Sequence, residues 1–142
     1  MARHRGHQRP PRHRPHVSAT LVHAALTRRL QSMPDRPPIA YPNGPGVATL
    51  PRLVVQRAGQ SQRTDTVGGT TEVRAELAVR VETATDDYTG ESDAIVAAIV
   101  AHFPVGARFD GVTVTDAPDP RPPLIGGGVY AVPVIVRGLG HF

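Results

Sequence analysis

The stretch that decides the fold is TEVRAELAVRVET, residues 71–83. Apolar residues occupy every second position, and charged residues fill most of the positions between them. The apolar set is Val73, Ala75, Leu77, Val79 and Val81, and the intervening set is Glu72, Arg74, Glu76, Ala78, Arg80 and Glu82. A period of two over this length predicts a β-strand with one face in the core and the other in water. At about 3.3 Å per residue, the strand would span roughly 40 Å.

A long hairpin is predicted around this strand. The sequence RLVVQ, residues 52–56, predicts a short partner strand, and Ile39–Tyr41 precedes it as a further extended stretch. Residues 57–70 are polar and contain three glycines, which predicts a mobile loop. Because the 71–83 strand is long for a small domain, we expect the hairpin over residues 52–83 to project beyond the core.

A first helix is predicted over residues 17–33, VSATLVHAALTRRLQSM, which Pro34 ends. The residues at helical spacing along its apolar face are Val22, Leu26, Leu30 and Met33, with Leu21 and Ala25 beside them. The residues on its polar face are His23, Thr27, Arg28 and Gln31. The helix is therefore expected to pack one face on the sheet.

A second helix is predicted over residues 90–103, with Thr89 as a plausible N-cap. No polar side chain occurs between Asp93 and His102. One apolar stripe holds Ile95, Ala98, Ile99 and Phe103, and a second stripe of small residues holds Ala94, Ala97 and Ala101. A helix that is apolar all round is buried on more than one side. The second cover is either the domain's own sheet or, more economically in so small a chain, a neighbouring subunit.

Two more strands are predicted near the end of the chain, over residues 112–115 and 129–137. Pro133 interrupts the latter and cannot donate to a ladder, which predicts a sheet edge or a bulge. The element order is then α-β-β-β-α-β-β. This order predicts an α+β domain over residues 17–142, with two helices packed on a mainly antiparallel sheet.

Positive charge is concentrated before this domain. Residues 1–16 contain five arginines, four histidines and three prolines but no acid, whereas the remainder carries eleven arginines against twelve acidic residues. Such a segment cannot bury enough apolar surface to order itself, so a disordered arm is predicted. Its arginines are candidate contacts to a nucleic-acid backbone: Arg3, Arg5, Arg9, Arg12 and Arg14. The alternatives are a solvated extension without a partner, or a nucleic-acid-binding protein that uses the arm.

The composition excludes several classes of catalytic site. The chain has no cysteine, and all sixteen basic residues are arginine, which excludes thiolate catalysis, the lysine of a P-loop and a lysine Schiff base. The chain contains no run of eighteen apolar residues, so no membrane-spanning helix is predicted. The sequence contains neither a GxSxG motif nor paired carboxylates. Two HxxH pairs, His4/His7 and His13/His16, lie in a segment rich in proline and arginine that cannot hold them on one helix face. We therefore predict no enzyme activity, no metal and no cofactor.

Several segments, taken in order, resemble the tail terminator, or tail completion, proteins of long-tailed bacteriophages. They are HAALTRRLQSM (23–33), IAYPNGPGVATLPRLVVQ (39–56), TTEVRAELAVRVETATDDYTGESDAIVAAIVAHFPVGARF (70–109) and VYAVPVIVRG (129–138). IAYPN is the most specific of these. The likeness covers residues 17–138, and relatives occur in phage-like gene transfer agents, whose GC-rich hosts suit an arginine-only composition.

The resemblance implies structural work rather than catalysis. Tail terminators form hexameric rings that stop polymerisation of the tail tube and offer a docking surface to the head-side connector, and DNA passes through the ring. The particle is assembled in the bacterial cytoplasm and the ring lies at its tail–neck junction, with no membrane partner. On this reading the candidate subunit interface is Ala94, Ala97, Ala101 and Pro133. The candidate contacts of the hairpin with the tube or a neighbour are Arg57, Arg63, Arg74 and Arg80.

Overall fold

The computed structural model describes residues 15–64, 69–85 and 89–142. Helix α1 is Pro15–Gln31 and helix α2 is Gly90–His102. The strands are β1 Ile39–Ala40, β2 Arg52–Thr64, β3 Thr71–Ala84, β4 Arg108–Phe109, β5 Val112–Val114, β6 Asp119–Pro120, β7 Leu124–Gly126 and β8 Val129–His141. The predicted α+β class is confirmed, and β4, β6 and β7 are short additions to the predicted order. Within these ranges, no helix is long and apolar enough to cross a membrane.

The eight strands form one sheet in the order β1-β2-β3-β8-β5-β4, with β6 and β7 also paired to β8. All pairs are antiparallel except β1 with β2. The alternating stretch of residues 71–83 forms β3, which lies inside the sheet between β2 and β8. Its neighbours pair along nearly its whole length, from Glu72 opposite His141 to Ala84 opposite Val129.

The predicted loop over residues 57–70 is wrong in its first half, because β2 continues to Thr64. The register with β3 shifts between Arg57 and Gly59, so Ala58 is the extra residue of a β-bulge. Beyond the bulge, polar residues such as Gln60 and Gln62 pair with β3 across the backbone. The sequence there lacks apolar alternation because this part of β2 is exposed.

The expectation that Pro133 marks a sheet edge or bulge is also wrong. Strand β8 is central, and its register with β3 runs through Pro133 without a shift. The Pro133 carbonyl accepts a hydrogen bond from the Arg121 amide at 2.7 Å. In an antiparallel strand, the N–H and C=O of one residue point to the same side. The side on which Pro133 lacks an N–H is therefore the side of the gap between β6 and β7, so no hydrogen bond of a strand ladder is lost.

Both helices pack on one face of the sheet, and the core lies between them. The alternating β3 residues from Val73 to Val81 are all buried, as are Leu53 and Val55 of β2. Val132, Val134 and Val136 of β8 lie level with them on the same face. Helix α1 adds Val22, Ala25, Leu26 and Leu30 to this core, and Met33, just after the helix, joins them.

Gly138 of β8 permits this close packing. A Cβ at Gly138 would lie 2.9 Å from Val112 Cγ1 and 3.1 Å from Leu26 Cδ2. Such distances are shorter than a methyl group tolerates, so any side chain there would push α1 or β5 outwards. Gly138 therefore sets the spacing between the first helix and the sheet.

Candidate interaction surfaces

Helix α2 divides into a buried side and an exposed side. Ile99 and Phe103 are fully buried, and Ile95 packs against the core. Ala94, Ala97, Ala98 and Ala101 are all exposed. Of the predicted apolar stripe, Ile95, Ile99 and Phe103 face the core, whereas Ala98 lies on the exposed side with the other three alanines. In a single subunit, the small-residue stripe faces away from the domain's own sheet.

The C-terminal end of α2 is fixed to the C-terminal end of α1 by hydrogen bonds. His102 Nε2 lies 2.7 Å from the Arg29 carbonyl oxygen and 3.0 Å from Ser32 Oγ. In return, Arg29 Nε donates to the His102 carbonyl at 3.1 Å, and its guanidinium lies 5.3 Å from the centre of the Phe109 ring. This histidine therefore holds α2 in place and orients its exposed side.

A second histidine was assigned to the wrong side of α1. His23 was predicted on the polar face, but it is buried, with Nε2 3.1 Å from the Glu76 carbonyl oxygen. The helical spacing gave no sign of this contact, because the partner is a backbone atom of β3. Like His102, His23 serves packing between a helix and its neighbours.

The four candidate arginines of the hairpin differ in exposure and in the ion pairs that they form. Arg57 and Arg63 are exposed and make no ion pair with any of the described residues. Arg74 is exposed and pairs with Glu72 at 2.9 Å. Arg80 is half-buried and donates to Glu82 at 2.7 Å. Of the four, Arg57 and Arg63 are therefore the ones that share their charge with no carboxylate of the described chain.

The sheet face opposite the helices carries a ladder of ion pairs. Glu82 accepts hydrogen bonds from Arg52 Nε at 2.6 Å and from Arg80 Nε at 2.7 Å, although its side chain is only 8% exposed. Burial raises the pKa of Glu82, but the hydrogen bonds from the two arginines outweigh it and hold the pKa below its ordinary value. The carboxylate is thus kept ionised by its neighbours.

A second pair lies further along the same face. Arg137 Nε donates to Glu76 Oε1 at 2.9 Å. This hydrogen bond raises the pKa of Arg137, and the nearby charges of Asp116 and Asp119 add to the effect. The arginines and glutamates at the centre of this face therefore neutralise one another. The charges without a direct partner lie towards the margins of the sheet.

Beside the outer edge of β2 lies a groove of about 910 Å³. Helix α1 forms one wall, and the loop after β1 forms the end. Half-buried Ala24 and the buried residues Val55 and Leu77 line it, together with the charged residues Arg57 and Arg28. Tyr41 lies at the end of the groove, where Gln31 Nε2 donates to its hydroxyl at 2.6 Å.

The opposite margin of the sheet is formed by the segments that pair with the outer side of β8. It contains Asp116, which makes no ion pair within the described ranges, and Asp119, which lies 3.2 Å from Arg121. It also contains two strongly exposed large apolar residues, Leu124 at 62% and Ile125 at 71%. No periodicity or motif in the sequence marks Asp116, Asp119, Leu124 or Ile125 as part of a surface.

Some predicted sites remain predictions. The arm arginines Arg3, Arg5, Arg9, Arg12 and Arg14 lie outside the described residues, and α1 begins at Pro15, within the predicted arm. Among the described residues, no group of three or more histidine, cysteine, aspartate or glutamate side chains is placed to hold a metal ion.

Comparison with known proteins gives a structural neighbour only. No family model and no curated protein matches the chain. A solved structure of a protein designated only by a sequence identifier superposes with a TM-score of 0.64 at 22% identity, covering 87% of this chain and 95% of that chain. At that identity the likeness extends to the fold alone, and it shows that this arrangement of helices and sheet occurs in an experimentally determined structure.

Proposed function

We propose that this protein is a tail-terminator-like structural protein of a phage or gene transfer agent. Six copies form a ring on the end of a finished tail tube, prevent further addition of tube subunits and present a surface to the head-side connector. DNA passes through the ring without specific contacts. The proposal assigns no catalytic step to the chain.

The observation that carries the proposal is the exposed alanine side of α2. An all-apolar helix costs free energy when one side faces water, because apolar surface contributes stability roughly in proportion to the area that is buried. Helix α2 has no polar side chain from Ala94 to Ala101, yet Ala97 and Ala101 face outwards. A neighbouring subunit is the cover that a ring supplies to every copy.

The small size of these side chains also suits a subunit contact. Alanine lets the backbone of a second element approach closely, and no side-chain entropy is lost when it is covered. A ring requires two different contact surfaces on each subunit, since its interfaces are heterologous. The alanine side of α2 supplies one such surface, and the margins of the sheet supply others.

The proposal is tested by electron microscopy of particles from a strain that lacks the gene. Tails are expected to exceed the normal length and to lack heads, because nothing stops the tube or joins it to the connector. A plasmid copy of the wild-type gene should restore normal tails. Tails of normal length joined to heads in the deletion strain would show that the protein has another role.

A further inference from the structure

The two margins of the sheet carry opposite charge. Along β2, residues 52–64 contain three arginines and no acid. Strand β1 pairs with β2 only at Leu53 and Val54, so the backbone from Val55 to Thr64 has no strand partner on its outer side within the described residues. An open edge of this length is a ready site for contact with another chain. The unpaired side chains of Arg57 and Arg63 make this edge basic.

The opposite margin is acidic overall. Residues 108–121, which include β4, β5 and β6, contain three aspartates against two arginines, Arg108 and Arg121. Asp110 pairs with Arg28 at 3.0 Å, and Asp119 pairs with Arg121 at 3.2 Å. Asp116 makes no direct ion pair in the described part of the chain, although it accepts a hydrogen bond from Thr115 Oγ1 at 2.9 Å and its charge acts on Arg137. Each existing pair is about half-exposed, so water screens it and the carboxylates stay open to a further cation.

The acidic margin also carries exposed apolar residues. Leu124 and Ile125 protrude where β7 pairs with β8. The groove beside the basic margin offers them little apolar surface, because its lining residues Val55 and Leu77 are only 3% and 1% exposed. The complementarity between the two margins is therefore one of charge.

We propose that these margins bind each other in neighbouring copies of this chain. The acidic margin of one copy, with Asp116 and Asp119, docks along the free edge of β2 in the next copy, where Arg57 and Arg63 lie. Contacts between two unlike surfaces on opposite sides of a subunit are head-to-tail, and they close into a ring when the rotation between copies permits. The inference rests on the proposed ring and names the surfaces that join its subunits.

The charges allow a test by exchange. One double variant, Arg57→Asp/Arg63→Asp, has two acidic margins, and a second, Asp116→Arg/Asp119→Arg, has two basic margins. Each alone is expected to lose self-association by at least about tenfold in dissociation constant, because like charges face each other at every contact. Mixed in equal amounts, the two variants should assemble again, since a six-membered ring can alternate them. Sedimentation velocity on the full chain at low and high salt measures this.

Controls separate charge from folding. Arg57→Lys/Arg63→Lys keeps the charge and should assemble as the wild type does. Thermal melting checks that each variant folds, and if Asp119→Arg disturbs its own subunit, the single variant Asp116→Arg replaces the double one, because Asp116 is exposed.

The outcomes distinguish this inference from the ring itself. Rings that persist in both reversed variants, or a mixture that remains monomeric, would overturn the pairing of the margins and leave the ring intact. A wild-type chain that stays monomeric at every concentration and salt would overturn the ring together with the pairing. Assembly of the mixture, but of neither variant alone, would support both.

Discussion

Arg52 Nε lies 2.6 Å from Glu82 Oε1, across the pairing of β2 with β3. The same arginine donates through Nη1 to the Val47 carbonyl at 2.7 Å, so it connects the loop before β2 to the centre of the sheet. Glu82 is among the few buried charged residues of the described chain, and it is placed on the face that the helices leave uncovered. The buried, ionised carboxylate of Glu82 is therefore stabilised by Arg52 and Arg80.

Replacement of Arg52 by alanine should destabilise the fold. The variant leaves a buried carboxylate with Arg80 as its remaining partner, and hydrogen bonds to charged groups contribute about 1.5–3 kcal/mol each. We expect Arg52→Ala to lower the free energy of unfolding by about that amount, measured by urea denaturation. Arg74→Ala is the matched control, because its pair with Glu72 is exposed and should contribute no more than about 1 kcal/mol. Equal losses in the two variants would contradict this account.

The same carboxylate predicts a dependence of stability on pH. The pKa of Glu82 is lower in the folded chain than its ordinary value of 4.5, so its contribution is complete above that value and is lost as the pH falls through the folded pKa. Glu82→Gln removes the titration. The difference in unfolding free energy between wild type and Glu82→Gln should therefore shrink as the pH is lowered from about 7 to about 3. A difference that stays constant over this range would show that Glu82 does not titrate with folding.

Ala97→Arg should separate folding from assembly. The side chain at this position is exposed in the subunit, so circular dichroism and the melting temperature should remain close to those of the wild type. In an assembled ring, the guanidinium would enter a dry contact, at a cost of several kcal/mol from desolvation. Analytical sizing should then show no rings, whereas Ala97→Ser should assemble. Normal assembly of Ala97→Arg would show that this side of α2 stays in water.

Gly138→Ala should destabilise the subunit although it adds only one methyl group. That methyl would meet Val112 and Leu26 at distances that require movement of packed side chains, and such overpacking costs about 1–3 kcal/mol. Gly126→Ala is the control, since a Cβ there meets nothing within 4 Å. Thermal melting should show a loss for the first variant and none for the second. A neutral Gly138→Ala would mean that α1 can move outwards at little cost.

The periodicity of apolar residues correctly predicted the elements that pack one face on the core. The alternation from Val73 to Val81 gave the long central strand, and the spacing of Val22, Leu26 and Leu30 gave the buried face of α1. Both signals come from side chains that all meet one continuous core. Beyond Ala58, β2 is held by backbone pairing with β3 and its side chains are exposed. Its sequence therefore shows no apolar alternation, and a loop was predicted there.

The remaining differences depend on long-range contacts. The burial of His23 follows from a backbone carbonyl 53 positions away, at Glu76, and helical spacing cannot show it. Pro133 is tolerated in a central strand because the break between β6 and β7 lies opposite it. The surfaces of the proposed ring contact were predicted in part: the alanines of α2 and the arginines of β2 came from the sequence, whereas the acidic margin appeared only when the sheet order was known.

The central position of β8 has a consequence for synthesis on the ribosome. Strand β3 is complete at residue 84, but its second partner begins only at Val129, so the emerging chain holds an unpaired strand edge while 44 intervening residues are made. Contacts of such sequence separation form late, because loop closure costs entropy before pairing repays it. Nascent chains that stop before β8 would expose the inner edge of β3 and the apolar face of the sheet, and only chains that have passed that point can present the finished margins to a neighbour.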